Sequence, residues 1–385
     1  MKIAWIVPGF SSDEDDWCIP ALRDLARALA ARHELHIFAL RYPYRLDRYS
    51  IFGARVCSLG GATRRGVHLP GLWIATLRAV EREHRAAPFD VLHAFWAYEP
   101  GLIAGWLRRR LGLRTIVSLA GGELIHLPAI GYGLADRRWR LGAMRWALRR
   151  ADAVTAGSMG LLKIARRFVA RADDHFTFAP LGVDTELFSP GKTPSACLLV
   201  NVGSLQPVKG QADLICAFRY VADRMPEVRL KIVGGGSMKT ELQSLAADLR
   251  LSDRIAFLGE VRRERLVDVF RSATAIVQSS LYEAQGMAVL EAAACGLPIV
   301  GTQVGALADL APEAAIASPP NDPLRLAEAI LALLSDSSRR RVSGEAGRAR
   351  VEAVYTLDAA QRRLEALYRP RRPDQARQSQ PDRNP

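Results

Sequence analysis

The stretch Glu283-Ala-Gln-Gly-Met-Ala-Val-Leu-Glu291 runs directly into Ala292-Ala-Ala-Cys-Gly296-Leu-Pro298. Its first carboxylate stands in a polar loop, its second inside an apolar run of helix formers, and Gly286 stands where that helix should begin. A helix starting near Met287 leaves its first amides unpaired at the positive end of its dipole, so a diphosphate can dock on the amides of Met287 and Ala288. Gly286 lets the backbone approach closely. Glu291 lies about one turn further in, at roughly 1.5 Å per residue, and can reach hydroxyls beyond the anion. Glu283 can face the other end of the same ligand, so that two carboxylates bracket one molecule. The alternative reading is a surface glutamate before a turn and a partly buried helical one.

Working outward, short β-rich runs alternate with helical ones. In the first half the strands are expected at Ile3 to Val7, Glu34 to Leu40, Val91 to His93, Thr115 to Leu119 and Ala153 to Ala156, with helices at Ile19 to Arg32, Leu72 to Arg85, Gly101 to Leu111 and Arg137 to Arg150. The pattern restarts after Pro190, with strands at Leu198 to Val202, Leu230 to Val233, Ile255 to Phe257, Ala275 to Gln278, Pro298 to Gly301 and Ala315 to Ala317. Helices are expected there at 210–224, 237–249, 263–272, 287–295 and 323–334. Such alternation is the signature of parallel sheets with crossover helices. The fold class is therefore α/β, two doubly wound Rossmann-like domains facing a central cleft, with ligands at the carboxyl ends of the strands.

The 385 residues, 49% hydrophobic and 24% charged, suit a globular two-domain chain. Five scattered cysteines show no Cys-x-x-Cys pair, which supports neither a disulfide framework nor a zinc site and fits a reducing cytoplasm. No secretory leader is recognisable, since the apolar run ends at Pro8-Gly9 and acidic residues follow, and no uncharged stretch approaches the roughly 20 residues of a spanning helix. Net charge is +13, concentrated in residues 1–185, where 27 Lys/Arg face 17 Asp/Glu. The segment Arg137 to Arg150 reads as a basic amphipathic helix with Trp139, Ala143, Trp146 and Ala147 on one face. It suits peripheral contact with an anionic membrane face, or else two core tryptophans under a solvated arginine surface. No nucleic-acid-binding motif accompanies the charge, and no nucleic acid partner is expected.

The Glu283 to Glu291 segment resembles the Glu-x7-Glu donor motif of retaining family 4 glycosyltransferases of the group 1 type, which have the GT-B fold. The likeness spans nearly the whole chain in order. Met1 to Pro8 looks like that family's first strand, Asp90-Val-Leu-His93 like its Asp-x-x-His strand end, and Ala151-Asp152-Ala-Val-Thr-Ala-Gly-Ser158 like its mid-domain strand. Pro180-Leu-Gly182-Val-Asp184-Thr-Glu-Leu-Phe188 is similar to its hinge, and Asn201-Val-Gly203-Ser204-Leu-Gln-Pro-Val-Lys209-Gly210 to the first strand and loop of its donor domain. Leu230-Lys-Ile-Val-Gly234-Gly235-Gly236 is similar to the second.

The resemblance implies an acceptor-binding domain over 1–187, a sugar-nucleotide donor domain over 188–350, and a helix over 351–368 crossing back to the first domain. The remaining 369–385, rich in Pro, Arg and Gln, are expected to be disordered. It also implies catalytic roles for Lys209, against the leaving diphosphate, and for Glu283. Donor contacts are implied for Gly203, Ser204, Gly234, Gly235, Gly286, Met287, Ala288 and Glu291, although Gly234-Gly-Gly236 reads equally as a structural turn and lacks dinucleotide spacing. On the acceptor side the candidates are His93, Glu123 and His126, with a satisfied strand-end histidine as the other reading of His93.

Two departures stand out. The family often has an arginine where this chain has Ser204, so a second cation must come from elsewhere, with Arg262 and Arg263 as candidates. Its first loop often has a Gly-Gly pair, here replaced by Pro8-Gly9-Phe-Ser-Ser-Asp-Glu-Asp-Asp16, either re-purposed for this acceptor or using an Asp to orient a hydroxyl. The expected activity is retaining transfer of a sugar from a nucleoside diphosphate, UDP favoured over GDP, to a hydroxyl acceptor that can be lipid-linked, in cell-surface glycan or exopolysaccharide assembly. No cofactor and no metal are expected. A sugar-nucleotide epimerase of the same fold and a non-catalytic partner subunit remain the alternatives.

Overall fold

The computed structural model describes residues 1–16, 18–62, 69–171, 173–191 and 197–369. The expected disordered tail falls, beyond Arg369, outside the described residues. Eight strands form the first sheet: β1 (Lys2–Gly9), β2 (Glu34–Tyr42), β3 (Leu46–Ile51), β4 (Ala54–Leu59), β5 (Val91–Phe95), β6 (Arg114–Leu119), β7 (Ala153–Ala156) and β8 (Phe176–Phe178). Their order is β3-β4-β2-β1-β5-β6-β7-β8, parallel except for the β3–β4 hairpin. Its own covering helices are α1 (Pro20–Ala30), α2 (Leu69–Ala86), α3 (Glu99–Leu111), α4 (Arg138–Arg150) and α5 (Met159–Val169), and a later helix joins them. β1 and β5 are central, hence apolar on both faces: Ile3 to Val7 and Val91 to Phe95 are all buried.

The second sheet has the order β11-β10-β9-β12-β13-β14 and is wholly parallel. Its strands are β9 (Leu198–Val202), β10 (Arg229–Val233), β11 (Ile255–Gly259), β12 (Ala275–Gln278), β13 (Ile299–Thr302) and β14 (Ala315–Ser318). The helices are α6 (Gln211–Arg224), α7 (Lys239–Asp248), α8 (Arg263–Arg271), α9 (Met287–Ala294), α10 (Gly305–Leu310), α11 (Pro323–Leu334), α12 (Ser337–Arg350) and α13 (Leu357–Tyr368). Strand order reverses between β9 and β12, the switch point where parallel sheets open a ligand crevice.

Two passages join the domains and lie side by side. Val183 donates its amide to the Tyr355 carbonyl at 2.8 Å, and Leu357 returns one to the Val183 carbonyl at 3.0 Å. A π-helical turn, Val351–Tyr355, still packs in the core of the second domain, so the crossing helix proper is α13 rather than all of 351–368. Ala360, Leu364 and Tyr368 of α13 enter the core of the first domain beside Trp5, and Arg114 bonds the Leu367 carbonyl at 2.7 Å.

The face of α4 differs from expectation. Met144, Ala147 and Leu148 turn inward, Trp146 is half-buried against Trp106, and Trp139 is exposed beneath the Arg140 guanidinium. The large apolar demand of this helix is met by the Met144 stripe, one position round from the tryptophans. Among the described residues no helix is long and apolar enough to cross a membrane, and all five cysteines are free.

Candidate active site

A cavity of about 460 Å³ lies between the domains at the switch point, within the usual size range of small-molecule sites. The wall contributed by the second domain begins with α9. Helix formers start at Met287, and Gly286 caps them in a left-handed conformation at φ 92°, which an L side chain rarely adopts. Gly286, Met287 and Ala288 line the cavity, at the end of the helix where the first amides have no intrahelical partner. Glu291, one turn further, lines the same cavity and is 8% exposed. Burial pushes its carboxyl up to about 7, against the opposing pull of the Arg263 guanidinium and with Asp24 adding to the rise.

The Lys209 and Glu283 loops are tied together. Leu281 donates its amide to the Val208 carbonyl at 2.8 Å, and Ser279 Oγ donates to that of Lys209 at 2.8 Å. Across this seam Lys209 Nζ meets Glu283 Oε1 at 2.6 Å, and Ser280 Oγ donates to the same oxygen at 2.8 Å. Both bonds fall on Oε1, so Oε2 keeps its lone pairs for a ligand hydroxyl. Gly203 lines the cavity behind the Lys209 stem.

Seven of the ten sequence-predicted donor-side residues thus share one cavity: Gly203, Lys209, Glu283, Gly286, Met287, Ala288 and Glu291. Ser204, Gly234 and Gly235 do not line it. The Ser204 carbonyl accepts from Gln211 Nε2 at 3.1 Å. A Cβ at Gly234 would lie 2.0 Å from the Gly203 carbonyl oxygen, so this glycine serves the close approach of two loops, the structural-turn reading. Of the two candidate cations, Arg262 is exposed, whereas Arg263 is buried in the cavity wall between Glu291 and Asp24.

The acceptor-side candidates fare differently. His93 is fully buried and lies outside the cavity lining. Its Nδ1 is 2.8 Å from Tyr368 Oη and its Nε2 2.7 Å from Ser118 Oγ, and burial lowers its pKa to about 3, so it stays neutral. Trp5 Nε1, which can only donate, binds Tyr368 Oη at 3.0 Å. The arrangement that strands no proton has Tyr368 donating to Nδ1, and His93 donating from Nε2 to Ser118. His93 is therefore a core residue and not an acceptor contact, because both ring nitrogens are spent inside the fold. His126 is exposed and outside the cavity lining.

Glu123 is buried too, with its pKa raised by that burial, and it accepts amides from Gly121 at 2.8 Å, Ala120 at 3.3 Å and Ala97 at 3.4 Å. It braces the loops that present Trp96 and Gly121 to the cavity instead of lining it. In the acidic first loop, Asp13 accepts the amides of Asp15 and Asp16, while Asp16 accepts from Ser12 and from Tyr42 Oη at 2.7 Å. Those two carboxylates fold the loop on itself.

Sequence reasoning missed several contributors. Trp96, held at φ 74°, and Tyr132 line the wall contributed by the first domain, and Tyr282 Oη donates to the Gly121 carbonyl across the cleft at 3.1 Å. Gln285 pairs with the backbone of Leu181 in both directions, at 2.9 and 2.7 Å. The tyrosine beside Glu283 was the available signal; nothing local marks Trp96. Among the described residues no group of three or more His, Cys, Asp or Glu side chains is arranged to hold a metal ion.

Two doubly wound domains with a helix N-terminus and flanking carboxylates in the cleft between them define a GT-B protein. The solved structure of a sucrose-phosphate synthase from Thermosynechococcus elongatus has this fold, with a TM-score of 0.82 at 22% identity over 96% of this chain and 98% of that one. Residues 184–350 match the model for "Glycosyl transferases group 1" and residues 19–182 that for "Glycosyl transferase 4-like domain". The chain belongs to the group 1 glycosyltransferases.

Among curated relatives, a GDP-mannose-dependent monoacylated alpha-(1-6)-phosphatidylinositol monomannoside mannosyltransferase of Corynebacterium glutamicum is 32% identical over 52% of this chain and 58% of its own length. A D-inositol 3-phosphate glycosyltransferase of Acidothermus cellulolyticus is 31% identical over 71% of this chain and 65% of its own length. The similarity therefore spans less than two thirds of either relative.

Proposed function

We propose that the protein transfers a sugar from a nucleoside diphosphate to a hydroxyl acceptor, with retention at the anomeric carbon. The observation that carries this reading is the gathering of Lys209, Glu283, the α9 amides and Glu291 in one interdomain cavity. The diphosphate docks on the amides of Met287 and Ala288, Glu291 accepts the nucleoside hydroxyls, and Glu283 Oε2 accepts a hydroxyl of the sugar. As the bond from the anomeric carbon to the phosphate oxygen breaks, negative charge grows on the diphosphate. Lys209 and the helix amides are already aimed at it, which lowers the barrier without a resident metal. The acceptor oxygen bonds the same face of the sugar, and its proton passes to the departing phosphate oxygen.

The acceptor enters past Trp96 and Tyr132. The arginine-rich surface of α4, with Trp139 exposed, supports contact with an anionic leaflet and hence a lipid-linked acceptor in surface-glycan assembly on the cytoplasmic face. UDP is the first nucleotide to test and GDP the second, since the C. glutamicum relative is named for GDP-mannose. The experiment is calorimetric titration with both nucleoside diphosphates, for the native protein and Glu291→Ala, followed by donor turnover with and without acceptor. Binding that Glu291→Ala weakens and turnover that needs the acceptor support the reading. Turnover without acceptor points to the epimerase, and no binding of either nucleotide points to the non-catalytic subunit.

A further inference from the structure

Arg263, the first residue of α8, is 8% exposed, and three parts of the chain meet on its side chain. Nη2 donates to Glu291 Oε1 at 3.4 Å, Nη1 pairs with Asp24 of α1 across the cleft, and the ring of Phe188, in the hinge, lies 5.0 Å from the guanidinium. Nε is buried with no hydrogen-bond partner among the described residues. The two Nη atoms belong to one rigid planar group, so any movement that surrenders Asp24 also tilts the donor presented to Glu291. Separation of the domains moves Asp24 with α1 and leaves Arg263 and Glu291 in the donor domain.

We propose that Arg263 is a positioning residue of the donor site: it orients the Glu291 carboxylate toward the nucleoside hydroxyls and, through Asp24, makes that orientation depend on the two domains being closed. This rests on the donor-site reading above. Recognition of the ribose is then a property of the closed molecule, whereas the diphosphate can dock on α9 before closure, because the helix amides lie wholly within the donor domain.

The test compares the affinity for UDP, or GDP if that is the nucleotide bound, with the affinity for its 2′,3′-dideoxy analogue. The ratio isolates the hydroxyl contacts and cancels titration of the phosphates. Glu291→Ala should abolish the preference. Arg263→Gln should reduce it by about 10-fold or more, the scale of a lost charge-assisted hydrogen bond, and Asp24→Asn should reduce it by a smaller factor while leaving the Arg263–Glu291 pair in place. The charged groups facing Glu291 are Arg263 on α8 and Asp24 on α1, with the un-ionised Cys295 thiol at the end of its own helix. Loss of the Arg263 charge should therefore move the pH at which the preference fades upward, a change that a packing role alone would not produce.

A native preference ratio in folded Arg263→Gln overturns the proposal while the donor reading stands. If Arg263→Gln does not fold, a native ratio in Asp24→Asn overturns the coupling to closure. A native ratio in Glu291→Ala overturns the proposal and the donor reading together.

Discussion

Replacing Lys209 by alanine should act on turnover far more than on nucleotide affinity. The ammonium is fixed at 2.6 Å from Glu283 and the side chain is only a quarter exposed, so its charge acts in a site poorly screened by water. Removing one pre-aimed donor from a site of developing negative charge costs about 2.7–4 kcal/mol, or roughly 10²–10³ in kcat. Here the lower end is expected, because the ion pair with Glu283 already draws on part of the lysine's charge, giving a loss of about 10² in kcat. Ground-state binding falls less, since the α9 amides still hold the diphosphate; a charge-assisted hydrogen bond of about 1.5 kcal/mol corresponds to roughly 10-fold in affinity. The assay is initial-rate kinetics at saturating donor, paired with nucleotide titration of the same sample. An unchanged kcat with a raised KM would place Lys209 in uniform binding and refute its role at the leaving group.

The remaining predictions concern Glu291 and the crossing helix. Because Glu291 holds its proton more tightly in the folded protein than its ordinary value of 4.5 implies, the folded protein binds more protons than the unfolded chain between about pH 5 and 7. Its stability should accordingly decline as pH rises through that window, and Glu291→Gln should flatten the decline, as read by urea denaturation at several pH values. Tyr368→Phe leaves the buried Trp5 N–H and His93 Nδ1 without their shared partner, and should cost about 2–4 kcal/mol of stability in the same assay; a loss within error of zero would refute the assigned hydrogen-bond chain.

The parts of the fold that were legible in the sequence are those whose physics is local. β7, β9, β12 and α11 begin and end where their apolar runs do, because each lies between clear breaks in pattern. The β3–β4 hairpin escaped notice because β3 is an edge strand alternating exposed and half-buried residues over Leu46-Asp-Arg-Tyr-Ser, and its charged face reads as loop. α5 was also missed, although Ser158 caps it by accepting the Leu161 amide at 3.3 Å. The donor wall was legible because Glu283, Gly286 and Glu291 occupy one short segment whose helix start fixes their geometry. For His93 the sequence left two readings open, because the partner that decides between them, Tyr368, is 275 residues away. Arg263 could be named only as a candidate, since the carboxylates that define it come from α1 and α9.

The passage of α13 back onto the first sheet has a consequence for how the molecule is made. The last strand of that sheet ends at Phe178, yet its core is completed by residues up to Tyr368. At 5–20 residues per second these arrive roughly 10–40 s later. Throughout that interval the nascent first domain carries an uncovered apolar strip beside Trp5 and a histidine relay without its tyrosine. The second domain, by contrast, can close its core as it emerges. Of the two domains, the one synthesised earlier is therefore the later to become fully packed, and the interval leaves its open strip accessible to chaperones, or to another unfinished chain on the same message.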